Sequence, residues 1–322
     1  MKIIVAEHAG FCFGVKRAVR LAEEAAQKHR VICWGPLIHN RQEINRLEKL
    51  GIITINDENP GFPNNGDEAV IIRTHGVGPK TVKQIEKEGR QVIDATCPHV
   101  KKAQSAAQEA NKEGCQVVIL GDKNHAEVQS LREWTDDTAI VVASRQELEG
   151  LELPERVAVM AQTTEKEAKF NDLVNYLKEK VPQVKVLPTI CAATQLRQNA
   201  ALALARSVEM MVVIGGRHSS NTRKLWEVCR EVNPNTYLIE EAGEVDPCWL
   251  TGKNTIGITA GASTPAWIIK EVIQKMEDYI EEKEDICLET AEPPMAKEQV
   301  EEAAQEQDLQ DMQSQMDFCS FN

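Results

Sequence analysis

Asp94-Ala95-Thr96-Cys97-Pro98, followed by an Ala-rich run over residues 100–111, sets the plan of the chain. It places a cysteine directly ahead of a helix. The arrangement occurs twice more: Gly10-Phe11-Cys12-Phe13-Gly14 leads into residues 15–27, and Thr189-Ile190-Cys191-Ala192-Ala193 leads into residues 195–208. Lys16, Lys101 and Gln195 each lie four residues beyond the cysteine, and an Ala-rich face follows each time. The chain therefore reads as three copies of one unit, each offering one thiolate to a common centre.

Between the cysteines, short apolar runs alternate with amphipathic stretches. Strands are predicted at 2–6, 31–34, 52–55, 69–73 and 91–93, with helices over 41–50 and 79–88 and an Asn/Gly/Pro-rich loop at 56–66. The plan returns with strands at 116–120, 139–142, 157–160 and 184–187 and a helix over 166–180, and again with strands at 210–214, 236–239 and 255–258. Strands and helices alternating at this period imply α/β lobes with mainly parallel sheets. The expected lobes, related by a pseudo-threefold, are residues 1–95, 96–188 and 189–280, followed by a disordered acidic tail at 281–322.

Spacing makes the repeat specific. Cys12 to His39 is 27 residues, Cys97 to His125 is 28 and Cys191 to His218 is 27. A second polar strand end follows 63 residues after Cys12 (His75), 66 after Cys97 (Thr163) and 72 after Cys191 (Ser263). Ligands in such folds gather beyond the carboxyl ends of the strands. His39, His75, His125, Glu127, Thr163, Ser219, Asn221 and Ser263 are all expected there, with the cysteine helices starting on the same side.

Composition narrows the class. The net charge is −13, but the thirteen acidic residues and two lysines of residues 281–322 account for −11 of it, so the body can bind an anion without opposing its own field. No run of about eighteen apolar residues occurs, so no membrane span is expected. The N-terminus reads as a strand rather than a signal peptide, and a cytoplasmic location is expected. Nine cysteines without a secretion signal argue against a disulfide framework.

Three thiolates from distant parts of the chain suit a metal or cluster site, and a helix N-terminus favours the thiolate. Zinc would call for a fourth Cys or His, whereas a cubane cluster held by three cysteines leaves one iron open. Spacing alone leaves both possible. The His, Ser, Thr and Asn side chains at the strand ends, beside Gly-rich turns and helix starts, suit a phosphate. Neither GxxxxGK[ST] nor a post-strand GxGxxG is present, so a nucleotide cradle is not supported. Glu127 is the sole carboxylate of the set. Near bound anions its pKa would rise, which makes it the candidate acid.

Gly10-Phe11-Cys12-Phe13-Gly14-Val15, Ile38-His39-Asn40, Thr74-His75-Gly76-Val77, Asp94-Ala95-Thr96-Cys97-Pro98, His125-Ala126-Glu127-Val128, Gln162-Thr163-Thr164, Ser219-Ser220-Asn221 and Thr259-Ala260-Gly261-Ala262-Ser263 resemble the 4-hydroxy-3-methylbut-2-enyl diphosphate reductase (LytB/IspH) family. The match covers residues 1–280 in order. It implies three α/β lobes around a central iron–sulfur cluster and reduction of an allylic diphosphate to isopentenyl and dimethylallyl diphosphate, the last step of the non-mevalonate isoprenoid route. By the same resemblance Cys12, Cys97 and Cys191 hold a 4Fe–4S cluster with its fourth iron open, seen as 3Fe–4S after oxidation. The resemblance also implies that His39, His75, His125, Ser219, Ser220, Asn221 and Ser263 hold the diphosphate and that Glu127, assisted by Thr163, supplies the proton that lets the hydroxyl leave as water. The expected electron donor is ferredoxin or flavodoxin, and the chain is expected to be a monomer or weak dimer. Ala126 stands where many relatives have Pro. Some relatives continue into an S1-type RNA-binding module; the sequence ends before any such domain, and the acidic tail is expected to be a leftover linker. No nucleic-acid partner is expected.

The remaining residues get plainer readings. His218 fits the repeat but not the family pattern and is expected at the surface or behind the site; His99 is expected to be structural, and His8 and His29 ordinary polar positions. Cys33, Cys115, Cys229 and Cys248 read as core or partly buried residues, Cys287 and Cys319 as tail thiols. Lys16, Arg17, Lys101 and Lys102 read as a solvated face able to attract an acidic electron donor. Two rival functions are an iron–sulfur hydro-lyase, which consumes no electrons, and a non-enzymatic Cys/His module binding zinc.

Overall fold

In a computed structural model that describes residues 1–55, 68–87 and 89–282, the chain opens on strand β1 (Lys2–Val5). The first unit runs α1 (Phe13–Ala26), β2 (Val31–Trp34), α2 (Arg41–Lys49), β3 (Ile52–Ile55), β4 (Ala69–Ile72), α3 (Pro79–Lys87) and β5 (Val92–Asp94). The second repeats it as α4 (Pro98–Lys112), β6 (Gln116–Leu120), α5 (Ala126–Glu133), β7 (Ile140–Val142), β8 (Arg156–Ala161), α6 (Glu167–Lys180) and β9 (Gln183–Val186). The third is α7 (Ala192–Ala205), β10 (Met210–Ile214), α8 (Ser220–Val232), β11 (Thr236–Ile239), the short α9 (Pro247–Leu250), β12 (Thr255–Ala260) and α10 (Ala266–Glu282). The predicted acidic tail beyond Glu282, with Cys287 and Cys319, lies outside the described residues, as does the whole predicted loop at 56–66.

Three four-stranded sheets result, ordered β3-β2-β4-β5, β7-β6-β8-β9 and β11-β10-β12-β1. Every pairing is parallel. The third unit ends on a helix instead of a fourth strand, which leaves the edge beside β12 open. β1 fills it, in register from Lys2 opposite Thr255 to Val5 opposite Ile258. Residues 2–5 therefore belong to the sheet of the third lobe, a correction to the expectation that 1–95 form one lobe. The correction makes the threefold plan more regular. The strand before each cysteine (β1, β5, β9) closes the sheet of one lobe, and the helix after it packs on the sheet of the next. Each cysteine thus lies where the chain crosses between lobes.

Both faces of each sheet are covered, so the inner strands read as continuous apolar runs. Alternate residues serve opposite sides: Cys33 and Ile71 pack under α1, while Trp34, Val70 and Ile72 pack with Ile85 of α3. Ala18, Ala22 and Ala25 of α1, Ala103, Ala107 and Ala110 of α4, and Ala201 and Ala205 of α7 are buried against their sheets. Small side chains at helical spacing let these helices lie close, which brings their N-termini inward. Among the described residues no helix is long and apolar enough to cross a membrane.

Candidate active site

Cys12, Cys97 and Cys191 are the N-cap residues of α1, α4 and α7, and none of the three side chains caps its own helix. All three are half-buried and line one pocket. Burial pushes the Cys97 thiol up, opposed by the His99 and Val100 N–H groups and reinforced by Cys12 and Cys191. Burial also raises Cys191, opposed by the Ala193 and Thr194 N–H groups. Three sulfurs close enough to repel one another as thiolates, each at a helix mouth, make a site for a cation. Gly14 keeps it open: a Cβ there would come 2.6 Å from Cys97 Sγ and 3.9 Å from Cys12 Sγ. The other cysteines are different. Cys33, Cys115 and Cys229 are buried in the lobes and Cys248 is partly buried, and burial pushes Cys33 and Cys229 up to about 12.

The same pocket carries a set of polar residues drawn from all three lobes. His39, His75 and His125 gather with ring centroids 4.3 Å apart for the first two and 5.2 Å from each to the third. Burial and then Arg73 lower the pKa of His39 to about 4. Burial and then His39 lower His125 to about 3, and His75 is also held well below the usual range, chiefly by burial. The three are therefore neutral and crowded. Their nitrogens lie within 4.8 Å of one another, a spacing that invites a metal. His125 argues against one. It caps α5 by accepting the Glu127 N–H at Nδ1 (3.1 Å), which puts its proton on Nε2 and makes that atom a donor.

The third lobe completes the set with the N-terminus of α8. Ser219 caps the helix and accepts the Thr222 N–H; Ser220 and Asn221 form its first turn. Asn221 Oδ1 accepts the Ala262 N–H at 2.9 Å, and Ser263 Oγ donates to the His39 carbonyl at 2.9 Å. His39 Nε2, His75 Nδ1 and Asn221 Nδ2 are buried without a protein partner. Buried polar atoms are rarely left unpaired, and these line the pocket that also holds the sulfurs. Two helix N-termini (α5, α8), an Nε2–H donor and an amide donor form a cradle for a multiply charged anion. Ser219, Asn221 and Ser263, expected from the strand-end reading, line this pocket, as does Ser220, expected from the resemblance.

Glu127 lines the same pocket. It is 2% exposed and carried on the first turn of α5. Its Oε1 accepts the Thr163 N–H at 2.6 Å and its Oε2 accepts Thr163 Oγ1–H at 2.8 Å. Burial raises its pKa; the two Thr163 bonds and the Lys224 charge oppose the rise. A buried carboxyl held by a hydroxyl that can reverse its bond is suited to hold and pass a proton.

The loop carrying Thr163 is tied to α8. Thr164 Oγ1 and Ser220 Oγ are 3.0 Å apart, Lys224 Nζ is 2.9 Å from Glu165 Oε2, and Lys166 Nζ is 2.9 Å from Glu227 and 3.0 Å from Glu231. Residues 220, 224, 227 and 231 form one stripe along the helix. One face of α8 thus grips the proton-donor loop while its N-terminus faces the anion cradle. This grip was not expected from the sequence, although Lys224, Glu227 and Glu231 at helical spacing carried the signal.

Of the plainer readings, His8 and His29 are exposed, His99 is exposed at the pocket rim, and His218 is exposed beside His39 and His125. Lys16, Lys101 and Lys102 are exposed as expected. Arg17 is not part of that solvated face: it is half-buried and donates to the Asp94 carbonyl at 3.2 Å and the Thr96 carbonyl at 3.4 Å, because α1 packs beside the strand that leads to Cys97. Sequence reasoning also missed Arg197, a buried pocket residue treated below.

Comparison with known proteins agrees with this layout. The chain is 45% identical over 289 residues to 4-hydroxy-3-methylbut-2-enyl diphosphate reductase of Aquifex aeolicus, covering 87% of this chain and 97% of the relative. It is also 45% identical over 288 residues to the reductase of the same name from Caldanaerobacter subterraneus, covering 88% and 100%. A solved structure of (E)-4-hydroxy-3-methyl-but-2-enyl diphosphate reductase, described as the terminal enzyme of the non-mevalonate pathway, superposes with a TM-score of 0.65 at 44% identity, over 86% of this chain and all of that one. The E-1-hydroxy-2-methyl-but-2-enyl-4-diphosphate reductase of Plasmodium falciparum superposes with a TM-score of 0.78 at 27% identity, over 92% and 94%. The LytB protein family model matches residues 3–277. With nearly the whole described body matched, in the order that places three cysteines, three histidines and a buried Glu–Thr pair around one pocket, the chain belongs to the LytB family of 4-hydroxy-3-methylbut-2-enyl diphosphate reductases.

Proposed function

We propose that this chain reductively removes the hydroxyl group of (E)-4-hydroxy-3-methylbut-2-enyl diphosphate, giving isopentenyl and dimethylallyl diphosphate as the last step of the non-mevalonate route. The observation that carries the proposal is Glu127: a buried carboxyl, both oxygens bound by Thr163, in the same pocket as Cys12, Cys97, Cys191 and the three histidines. A non-enzymatic zinc module would need no anion cradle of this kind, and a hydro-lyase does not fit a family of reductases.

The donor set fits an iron–sulfur cluster. Three cysteines at helix mouths, with Gly14 clearing the space beside two of the sulfurs, suit a 4Fe–4S cluster anchored at three corners. Bound there, it would supply two electrons one at a time and, at its fourth iron, a Lewis-acid site. The protein does the rest. His39, His75 and His125 with Ser219, Ser220, Asn221 and Ser263 hold the diphosphate, which places the allylic hydroxyl at the other end of the pocket. Glu127 gives its proton through Thr163 to the departing hydroxyl, so the C–O bond breaks with loss of water. Two electrons and one further proton then complete the product. The electrons come from a one-electron donor such as ferredoxin or flavodoxin. Lys16, Lys101 and Lys102 and the 70% exposed Phe13, next to Cys12, form the face we assign to it.

Glu127→Gln tests the assignment. The amide keeps the shape and a hydrogen bond to Thr163, so inorganic pyrophosphate and substrate should bind as in the parent. Turnover in an anaerobic dithionite assay should fall by about two to four orders of magnitude, the range typical of removing a general acid. Near-parental turnover would remove Glu127 from the mechanism, and turnover without any reductant would favour the hydro-lyase.

A further inference from the structure

Arg197 lies in α7, six residues beyond Cys191, and is 2% exposed. Its Nη2 donates to the Gly10 carbonyl at 2.7 Å and its Nη1 to the Ala193 carbonyl at 3.2 Å. The guanidinium therefore bridges the loop that carries Cys12 and the helix that starts at Cys191. Its Nε is buried with no partner. Among the described residues no carboxylate pairs with it, and the ionisable groups that face it are Cys12 and Cys191.

A buried cation without a counter-charge is strongly unfavourable, and proteins keep one where something negative offsets it. Neutral carbonyls supply hydrogen bonds but not that charge. Arginine also suits the place better than lysine. Its guanidinium stays protonated when desolvated, and its planar fork holds two carbonyls while leaving Nε free to donate. Among the described residues, the groups near Arg197 that can carry a compensating negative charge are Cys12 and Cys191, which line the same pocket.

We propose that Arg197 is a positioning residue that acts through the cluster: its fixed charge is the internal counter-ion of the thiolate-ligated cluster and raises the cluster's reduction potential. The proposal rests on the cluster reading given above. Each electron accepted from the donor adds one negative charge to the cluster. Net charge and hydrogen bonds around the sulfurs are main determinants of potential. A buried cation beside two of the three ligands therefore stabilises the reduced form more than the oxidised one. Without it, the donor would have to work at a more negative potential.

The test uses the full chain, reconstituted anaerobically, as wild type, R197K, R197Q and R197M. Iron and sulfide are counted, and midpoint potentials are read by EPR-monitored titration with dithionite and mediators. R197M and R197Q should shift to more negative potentials, while R197K, which keeps the charge, should stay near the wild type. R197Q retains a donor for the Gly10 carbonyl, so it supplies the neutral arm if R197M does not fold. A cluster-bearing wild type with the same potential as the neutral variants would overturn the proposal alone. So would an R197K shift as large as that of the neutral variants, which would mean that shape rather than charge matters. A wild type that takes up no iron and sulfide would overturn the cluster reading and this proposal with it.

Discussion

Gly14→Ala separates the cluster cradle from the fold. The ideal Cβ at this position lies 2.6 Å from Cys97 Sγ and 3.3 Å from Cys97 Cβ. Non-bonded heavy atoms rest at about 3.5–4.0 Å, so the sulfur must retreat by roughly 1 Å. Ligand distances in a metal site tolerate only about 0.2 Å. Cys97 therefore cannot both clear the methyl group and keep its place as a ligand. The fold itself should survive. Overpacking at a buried position costs about 1–3 kcal/mol, and replacing a glycine inside a helix recovers about 0.5–1 kcal/mol. A net loss of up to about 2.5 kcal/mol lowers Tm by several degrees in a domain of this size. The assay is anaerobic reconstitution of both proteins, followed by iron and sulfide counts, visible absorption, chelator challenge and calorimetry of the apo forms. Gly14→Ala should be folded, with a modest fall in apo Tm, and should hold far less cluster that is lost quickly to chelator. Parental iron and sulfide content with parental resistance to chelator would refute the argument that the missing Cβ makes room for a ligated sulfur.

The histidine wall predicts an acid sensitivity above the carboxylate range. His39 drops from 6.5 to about 4 and His125 to about 3 on folding, so the unfolded chain binds more protons below 6.5. Their contribution is fully present above pH 6.5 and is lost as pH falls toward those values, at up to about 1.4 kcal/mol per pH unit for each histidine. Urea titrations of the apo chain across pH 4–7 should show this slope, and His39→Asn should reduce it. Inorganic pyrophosphate should favour the protonated imidazoles, so its binding near pH 6.5 should take up protons; calorimetric heats that do not depend on the buffer's ionisation enthalpy would contradict this. Lys224→Met removes a charge that lowers the pKa of Glu127, so the alkaline limb of the turnover profile should move to higher pH. It also strands the buried Glu165, at a cost on the order of 3–5 kcal/mol, most of which Glu165→Gln in the same chain should restore. An alkaline limb that stays in place would detach α8 from the proton donor.

Much of the site was legible because the chain says it three times. A cysteine before a helix and a polar residue at each of two strand ends recur at nearly constant spacing, and a repeat in sequence becomes a symmetry in space. Cys12, Cys97, Cys191, His39, His75, His125 and Glu127 could therefore be placed together before any coordinate was known. Helices α5 and α8 had no counterpart in the sequence expectations. α5 has eight residues with Val128 and Leu131 as its buried apolar positions, and the first turn of α8 buries Ser220, Asn221 and Thr222, which blurs the apolar period.

Local pattern by itself determined which segments are buried strands, where the three cysteine-led helices begin and which side chains lie at strand ends, because those properties depend on neighbours a few residues away. Tertiary structure decided the pairings between distant segments. It sent β1 to the open edge beside β12, set the tautomer of His125 within the pocket, tied the Thr163 loop to α8, and left Arg197 without a carboxylate beside two cysteines. Such facts depend on which groups end up excluded from water together, and a charge or a lone pair has no assigned partner until the lobes close around it.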